Sequence, residues 1–230
     1  MTNLRRVSAA FAALLLAACQ SAVSPPPAPP QPGWQAVALP GKTATEYRWE
    51  QKDGRQAVAA VSDGSASMFR RHIARPAKDL GDVSFSWWVQ EKPHDGNVGQ
   101  VDREDAAARV LFGFAGENSK LPLRTRMMFE LAEALTGEAP PYATLMYVWD
   151  ASAPVGSVIV NPRSDRIRKI VVDSGPGELR RWREHRRDLA ADFRLAFGEE
   201  PGALNSIAVM TDSDNTRSGA RSWYGPIELH

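Results

Sequence analysis

Val83-Ser84-Phe85-Ser86-Trp87-Trp88-Val89 is the stretch that decides the fold. Val83, Phe85, Trp87 and Val89 recur at period two, which is the spacing of a strand with one buried face. Ser84, Ser86 and Trp88 point the other way. Outward from it in both directions the chain repeats the pattern. Thr45-Glu46-Tyr47-Arg48-Trp49 alternates, Asp53-Gly54 is a strong hairpin signal, and Ala57 to Val61 returns as a strand. Arg109 to Phe114, Ala143 to Trp149, Ser157 to Val160, Ile167 to Val172, Ser206 to Thr211 and Ser222 to Leu229 bring the expected set to about nine or ten short strands. Gly, Pro, Asn and Asp separate them, which predicts a mainly β, antiparallel sandwich or barrel. Strand–helix alternation is absent, and no Gly-rich phosphate loop follows a strand, so a doubly wound nucleotide fold is excluded.

Two helices are expected to interrupt the strands. Arg124 to Thr136 carries Met127, Leu131 and Leu135 at four-residue steps and stops at Gly137. Glu178 to Phe197 carries Leu179, Trp182, Leu189 and Phe193 near one stripe and stops at Gly198. Arg180, Arg181, Arg183, Arg186 and Arg187 would form its outer side. That side would meet anionic lipid, or with Glu184 and Asp188 interspersed it would be an ordinary solvated face.

The chain has 230 residues, with 28 Lys and Arg against 27 Asp and Glu, a formal charge of +1. That balance excludes the strongly basic footprint of a dedicated nucleic-acid binder. One Cys excludes an internal disulfide framework and any multi-Cys metal site. Its position gives it another role. Arg5 and Arg6 precede an apolar run from Val7 to Ala18, too short for a comfortable bilayer crossing, which closes on Leu16-Ala17-Ala18-Cys19. This resembles a bacterial lipobox. Residues 1–18 would then be the signal peptide, and Cys19 the lipidated, palmitate-bearing first residue. Several acyl chains on one residue anchor stably, at about 0.8 kcal/mol per buried methylene. Gln20 in place of an Asp favours the outer membrane, facing the periplasm. Six prolines between Pro25 and Pro32 make residues 19–33 an extended tether. The folded domain is expected over residues 34–230.

Four groups of residues carry a family resemblance: Glu104-Asp105-Ala106-Ala107-Ala108-Arg109-Val110; Gly137-Glu138-Ala139-Pro140-Pro141 with Leu145-Met146-Tyr147-Val148-Trp149; Asp192-Phe193 with Phe197-Gly198; and Met210-Thr211-Asp212-Ser213-Asp214-Asn215-Thr216. Together they resemble the bacterial envelope family named domain of unknown function 3047, in order and from about Trp34 to Leu229. The resemblance implies a secreted β-sandwich of jelly-roll type, of the kind carbohydrate-binding modules and lectins use, with no agreed activity. The chain departs from the family pattern at Arg103-Glu104-Asp105 and at Gly225-Pro226-Ile227.

The chemistry is sparse. No Gly-x-Ser-x-Gly elbow and no His-Glu-x-x-His array is present. Glycoside cleavage needs two carboxylates facing each other across a groove. Asp102, Glu104 and Asp105 are clustered, but as sequence neighbours they read as a solvated turn. The acid-rich Asp212-Ser213-Asp214-Asn215-Thr216 is the best-formed candidate site. Oxygens of Asp212, Asp214 and Asn215 suit a hard cation, so calcium is the cofactor to expect there. The alternative is an Asx turn that binds its own backbone. Trp88, Trp149 and Trp223 are candidate rings for stacking a sugar, and Arg109 is a candidate fork for a carboxylate, from a ligand or from a neighbouring Asp. Trp49, Trp87 and Tyr147 are expected in the core.

Three function classes follow. The first is a non-catalytic glycan-binding domain of an outer-envelope lipoprotein, stiffened by calcium. The second is a structural or assembly lipoprotein that binds an envelope protein. The third is a polysaccharide hydrolase, which requires opposed carboxylates in a cleft.

Overall fold

In a computed structural model, residues 31–230 are described. The signal segment, Cys19 and the tether up to Pro30 lie outside the described residues. In chain order the strands are β1 (Trp34–Ala38), β2 (Glu46–Lys52), β3 (Arg55–Asp63), β4 (Ser67–Arg75), β5 (Asp82–Glu91), β6 (Arg109–Phe114), β7 (Ala143–Asp150), β8 (Val158–Asn161), β9 (Ser164–Ser174), β10 (Trp182–Asp188), β11 (Leu204–Met210), β12 (Gly219–Tyr224) and β13 (Glu228–Leu229). Two α-helices accompany them, α1 (Leu123–Thr136) and α2 (Leu189–Phe197). No helix of the described residues is long and apolar enough to cross a membrane.

The strands form a two-layer sandwich of jelly-roll type. One sheet has seven strands in the order β1-β4-β11-β6-β7-β9-β8; the other has six, β10-β5-β12-β3-β2, with β13 beside β5. Val83, Phe85, Trp87 and Val89 of β5 all point between the layers, as their alternation predicts. They meet Val110, Phe112 and Phe114 of β6 and Leu145, Tyr147 and Trp149 of β7. Phe85 stacks on Tyr147 with ring centres 5.3 Å apart. The β2–β3 hairpin turns at Asp53 and Gly54, whose φ values of 51° and 78° are the left-handed pair that a two-residue turn requires. Pairing is antiparallel with one exception: β7 and β9 run parallel. The chain leaves β7 for the short edge strand β8, and its hairpin partner β9, eleven residues long, returns between β8 and β7.

One sequence expectation is overturned here. Residues 178–197 are not a single helix; Trp182–Asp188 is the edge strand β10, paired along its whole length with β5. Its period is two. Glu184 and Arg186 face solvent, while Arg183, His185 and Arg187 turn inward to carboxylates. Arg183 and His185 meet Asp173 at 3.0 and 2.9 Å, and Arg187 grips Asp192 with two bonds of 2.7 Å. Inward charges on an edge strand also blunt edge-to-edge pairing. The helix begins only at Leu189, where the Asp188 side chain accepts from the Ala191 N–H at 2.9 Å. Leu189, Phe193 and Ala196 then plug one end of the core.

α1 lies where the sequence places it and ends at Gly137, φ 77°. None of its residues is buried, and Met127, Leu131 and Leu135 are exposed. A helix with an apolar stripe and no buried residue has no protein partner for that stripe.

Candidate functional site

The outer face of the seven-stranded sheet is apolar. Met68 of β4, Ala208 and Met210 of β11, Leu111 of β6, Met146 of β7 and Ile167 of β9 form a continuous floor. Met128, Leu131, Ala132 and Leu135 of α1 stand opposite it, and the space between is a groove of about 1020 Å³. Gly113 lets the far wall close down: a Cβ there would lie 2.8 Å from the Pro141 ring and 2.3 Å from Ser206 Oγ. No Trp, Tyr or Phe lines the groove.

The wall facing α1 is charged. Arg109, the first residue of β6, extends onto this face and donates from Nε and Nη2 to the two oxygens of Asp212 at 3.0 and 2.8 Å. Asp212 follows β11 and also accepts from the Ala106 N–H at 3.0 Å. Arg109 donates as well to the Glu104 carbonyl at 2.5 Å. The Glu104 carboxylate takes Lys169 Nζ at 2.8 Å, with Asn161 and Arg163 as further donors. Asp105 is wrapped by the loop that follows Asp212: Asn215 donates from its backbone N–H and its amide at 3.2 and 2.9 Å, and Thr216 from its N–H and hydroxyl, both at 2.7 Å. Lys42 pairs with Asp214.

Glu104 and Asp105, expected in a solvated turn, are therefore buried. Burial pushes the Asp212 carboxyl up to about 6, with Arg109 pulling it back and Asp105 pushing it further. Burial pushes the Lys169 ammonium down to about 8; Arg109 adds to that, and Glu104 opposes it. Burial alone would lower Arg109, but Asp212 and Glu104 outweigh it and hold the guanidinium above its ordinary value.

The expected metal ligands are brought together, with one oxygen each of Asp105, Asp212 and Asp214 within 4.8 Å of one another. Most of their oxygens already take a donor. Asp212 serves Arg109, Asp214 serves Lys42 through Oδ2, and the Asn215 amide nitrogen donates to Asp105. Lys42, Arg109, Arg163 and Lys169 balance Glu104, Asp105, Asp212 and Asp214. A cation there would compete with Arg109 for Asp212 and with Lys42 for Asp214. The Asx turn that the sequence offered as the alternative is not formed either: the side chains of Asp212, Asp214 and Asn215 bond Arg109, Ala106, Lys42 and Asp105, all outside the loop.

The expected stacking rings are placed as follows. Trp149 lies in the core, its ring centre 6.4 Å from that of Trp87, so it faces no ligand surface; it shares the inward parity of Leu145 and Tyr147. Trp88 and Trp223 do come together, edge to face at 5.1 Å, on the outer side of the six-stranded sheet. They are only 7% and 6% exposed, because Ala57, Ala59 and Trp182 pack beside them and Lys52 covers Trp88 at 3.8 Å. Trp223 Nε1 donates to Glu50. Neither offers an open face. Arg109 is on the groove wall, clamped to Asp212, the internal partner that the sequence allowed for.

Sequence reasoning missed Lys169, Arg163 and Lys42. Lys169 carried one signal: a cation on the edge of the apolar run Ile170 to Val172 of β9, sharing the outward parity of Ile167. The other two sit in turns and carried none.

The family described as "Protein of unknown function (DUF3047)" matches residues 32–228. No curated protein matches the chain. Among solved structures, the xyloglucanase domain of NopAA, a type three effector from Sinorhizobium fredii in complex with cellobiose, covers 86% of this chain and 97% of its own at 9% identity and a TM-score of 0.41. Endoglucanase 3 of family GH12 from Trichoderma harzianum covers 86% and 91% at 8% identity, TM-score 0.46. A thermostable cellulase derived from the Cel12A enzyme of Rhodothermus marinus covers 81% and 86% at 15% identity, TM-score 0.41. The likeness is one of sandwich architecture and carries nothing about activity.

Proposed function

We propose that this chain, which belongs to the DUF3047 family, is the non-catalytic binding domain of a bacterial envelope lipoprotein and holds its ligand in the groove between the seven-stranded sheet and α1. The observation that carries this reading is a groove of about 1020 Å³ with an apolar floor of Met and Leu side chains on one side and the exposed stripe of α1 on the other. Apolar patches of that size, rimmed by charge, mark binding sites. The reading is non-catalytic because the acids of the charged wall lie in one cluster and each is held by a protein cation or a set of protein donors. A glycosidase needs one acid free to give a proton and a second free to attack or to activate water. Anchoring at Cys19 in the outer membrane is part of the same proposal and rests on Leu16-Ala17-Ala18-Cys19.

A glycan is the second reading. Asn161, Arg163, Asp214 and Asn215 give the groove a polar wall able to read hydroxyls, although no ring is present on which a sugar would stack. Native mass spectrometry of the protein taken from its own envelope tests the groove. The wild type should retain a non-covalent ligand that Met146→Arg loses while its circular dichroism is unchanged. Hydrolysis of a polysaccharide by the wild type, abolished in Glu104→Gln, would replace the proposal with an enzyme.

A further inference from the structure

The groove has two unlike walls, and their difference points to the class of ligand. The α1 wall is apolar. Along the opposite wall the exposed charges are positive: Lys42 and Arg163 are 41% and 50% exposed, whereas the carboxylates beneath them, Asp214 and Glu104, are 10% and 8% exposed. A ligand entering along that wall therefore meets cations first, while the exposed carboxylate of Glu138, paired with Arg70, lies just beyond the C-terminal end of α1. The apolar floor spans β4, β11, β6, β7 and β9, four interstrand steps or about 19 Å. Methionine contributes Met68, Met146 and Met210 to that floor, side chains that adapt to a flexible alkyl chain more readily than to a rigid ring.

We propose that the occupant is a single-chain anionic amphiphile, a free long-chain fatty acid in its carboxylate form, with the alkyl chain on the Met-lined floor under α1 and the carboxylate at Lys42 or Arg163. This rests on the groove-binding reading above. Length, apolarity and the sign of the exposed charge all match such a ligand. Arg163 and Lys42 are paired with Glu104 and Asp214 but stay half-exposed, so a ligand carboxylate would join those pairs from the solvent side. An alkyl chain has no hydroxyls to leave unpaired against Leu111 and Met146. Neither wall needs to move a buried charge, since the exposed cations are already at the surface.

Displacement of a fluorescent apolar dye from the full chain carrying Cys19→Ser tests the proposal, with palmitate, laurate, hexadecanol and cellohexaose as competitors. Palmitate should compete best, and each methylene removed should weaken competition about fourfold. Lys42→Gln combined with Arg163→Gln should weaken palmitate at least tenfold and leave hexadecanol unchanged. Met146→Arg should abolish both. Palmitate and hexadecanol competing equally, with no effect of the double variant, would overturn the anionic ligand and leave the groove standing. The same holds if cellohexaose competes in place of palmitate. Competition untouched by Met146→Arg would overturn the groove itself.

Discussion

Arg109 is the residue on which the charged wall depends. It is buried and it bridges Asp212 and the Glu104 loop, adding a charged link to segments that Ala106 and Asp105 already tie together. Removing one partner of a buried pair leaves a desolvated charge, so Arg109→Ala should cost about 3–5 kcal/mol by chemical denaturation. Arg109→Met with Asp212→Leu should recover part of that loss, because apolar replacement of both partners removes the stranded charge. The same cluster sets a pH signature. The folded pKa of Asp212, about 6, lies above its unfolded value of about 4, so its contribution to stability is complete below pH ~4 and is lost as the pH rises through ~6. Lys169 runs the opposite way: its folded value near 8 lies below the unfolded one near 10.4, so its contribution appears only as the pH rises above about 8. The advantage of the wild type over Asp212→Asn should therefore shrink between pH 4 and 7, by on the order of 3 kcal/mol; an advantage that grows across that window would contradict the raised value. Trp88 shows the same dependence on surroundings. Its ring is sealed by Trp223 and Lys52, so Trp88→Ala should cost about 3 kcal/mol, and a loss below about 1 kcal/mol would mean that the ring is open.

At the scale of elements, α1 and β10 separate what a pattern predicts from what packing permits. α1 has the helical spacing and the glycine stop, and it forms where the pattern says; its stripe nevertheless buries nothing within the chain. Leu131→Ala should therefore leave stability within about 0.5 kcal/mol of wild type, whereas Leu111→Ala in the floor should cost about 2 kcal/mol or more. Amide exchange should show α1 opening before α2, whose Phe193 is held against Phe114 at 4.6 Å. In β10 the helical count of Leu179, Trp182, Leu189 and Phe193 is real but loses. β5 offers a full ladder from Trp88 to Asp82, and Asp173 and Asp192 offer buried acceptors to Arg183, His185 and Arg187. Burial works against the Asp173 carboxylate, but donors from His185, Trp87 and Arg183 overcome it and hold its pKa below the ordinary carboxylate value.

For the whole molecule, protein side chains already tie the acidic loop to the rest of the sandwich. Four cations neutralise the four carboxylates, and the loop is closed by its own donors to Asp105. Melting temperatures in millimolar calcium and in chelator should coincide; a rise of several degrees with calcium would show that the ion displaces Lys42 or Arg109. The large-scale plan also explains why the groove exists. The inner face of the seven-stranded sheet is consumed by the core; its outer face is sealed at Val148 by Val98 and Ala106, and the apolar part at Leu111 and Met146 is left to α1, which does not close on it.

By itself the sequence determined the β alternations, the Asp53-Gly54 turn, the helix stops at Gly137 and Gly198 and the inward face of β5, because each depends on period and near neighbours alone. Tertiary structure decided the rest. Arg109 finds Asp212 103 residues away, and Glu104 finds Lys169 65 residues away. An acid turn that reads as solvated becomes buried only when those partners arrive. Alternation states which way Trp88 points but not whether Trp223, Trp182 and Lys52 cover it there. Charge neutrality was readable as a total, whereas its division into a sealed set of pairs with two cations left at the surface depends on desolvation, and desolvation exists only once the sheets have packed.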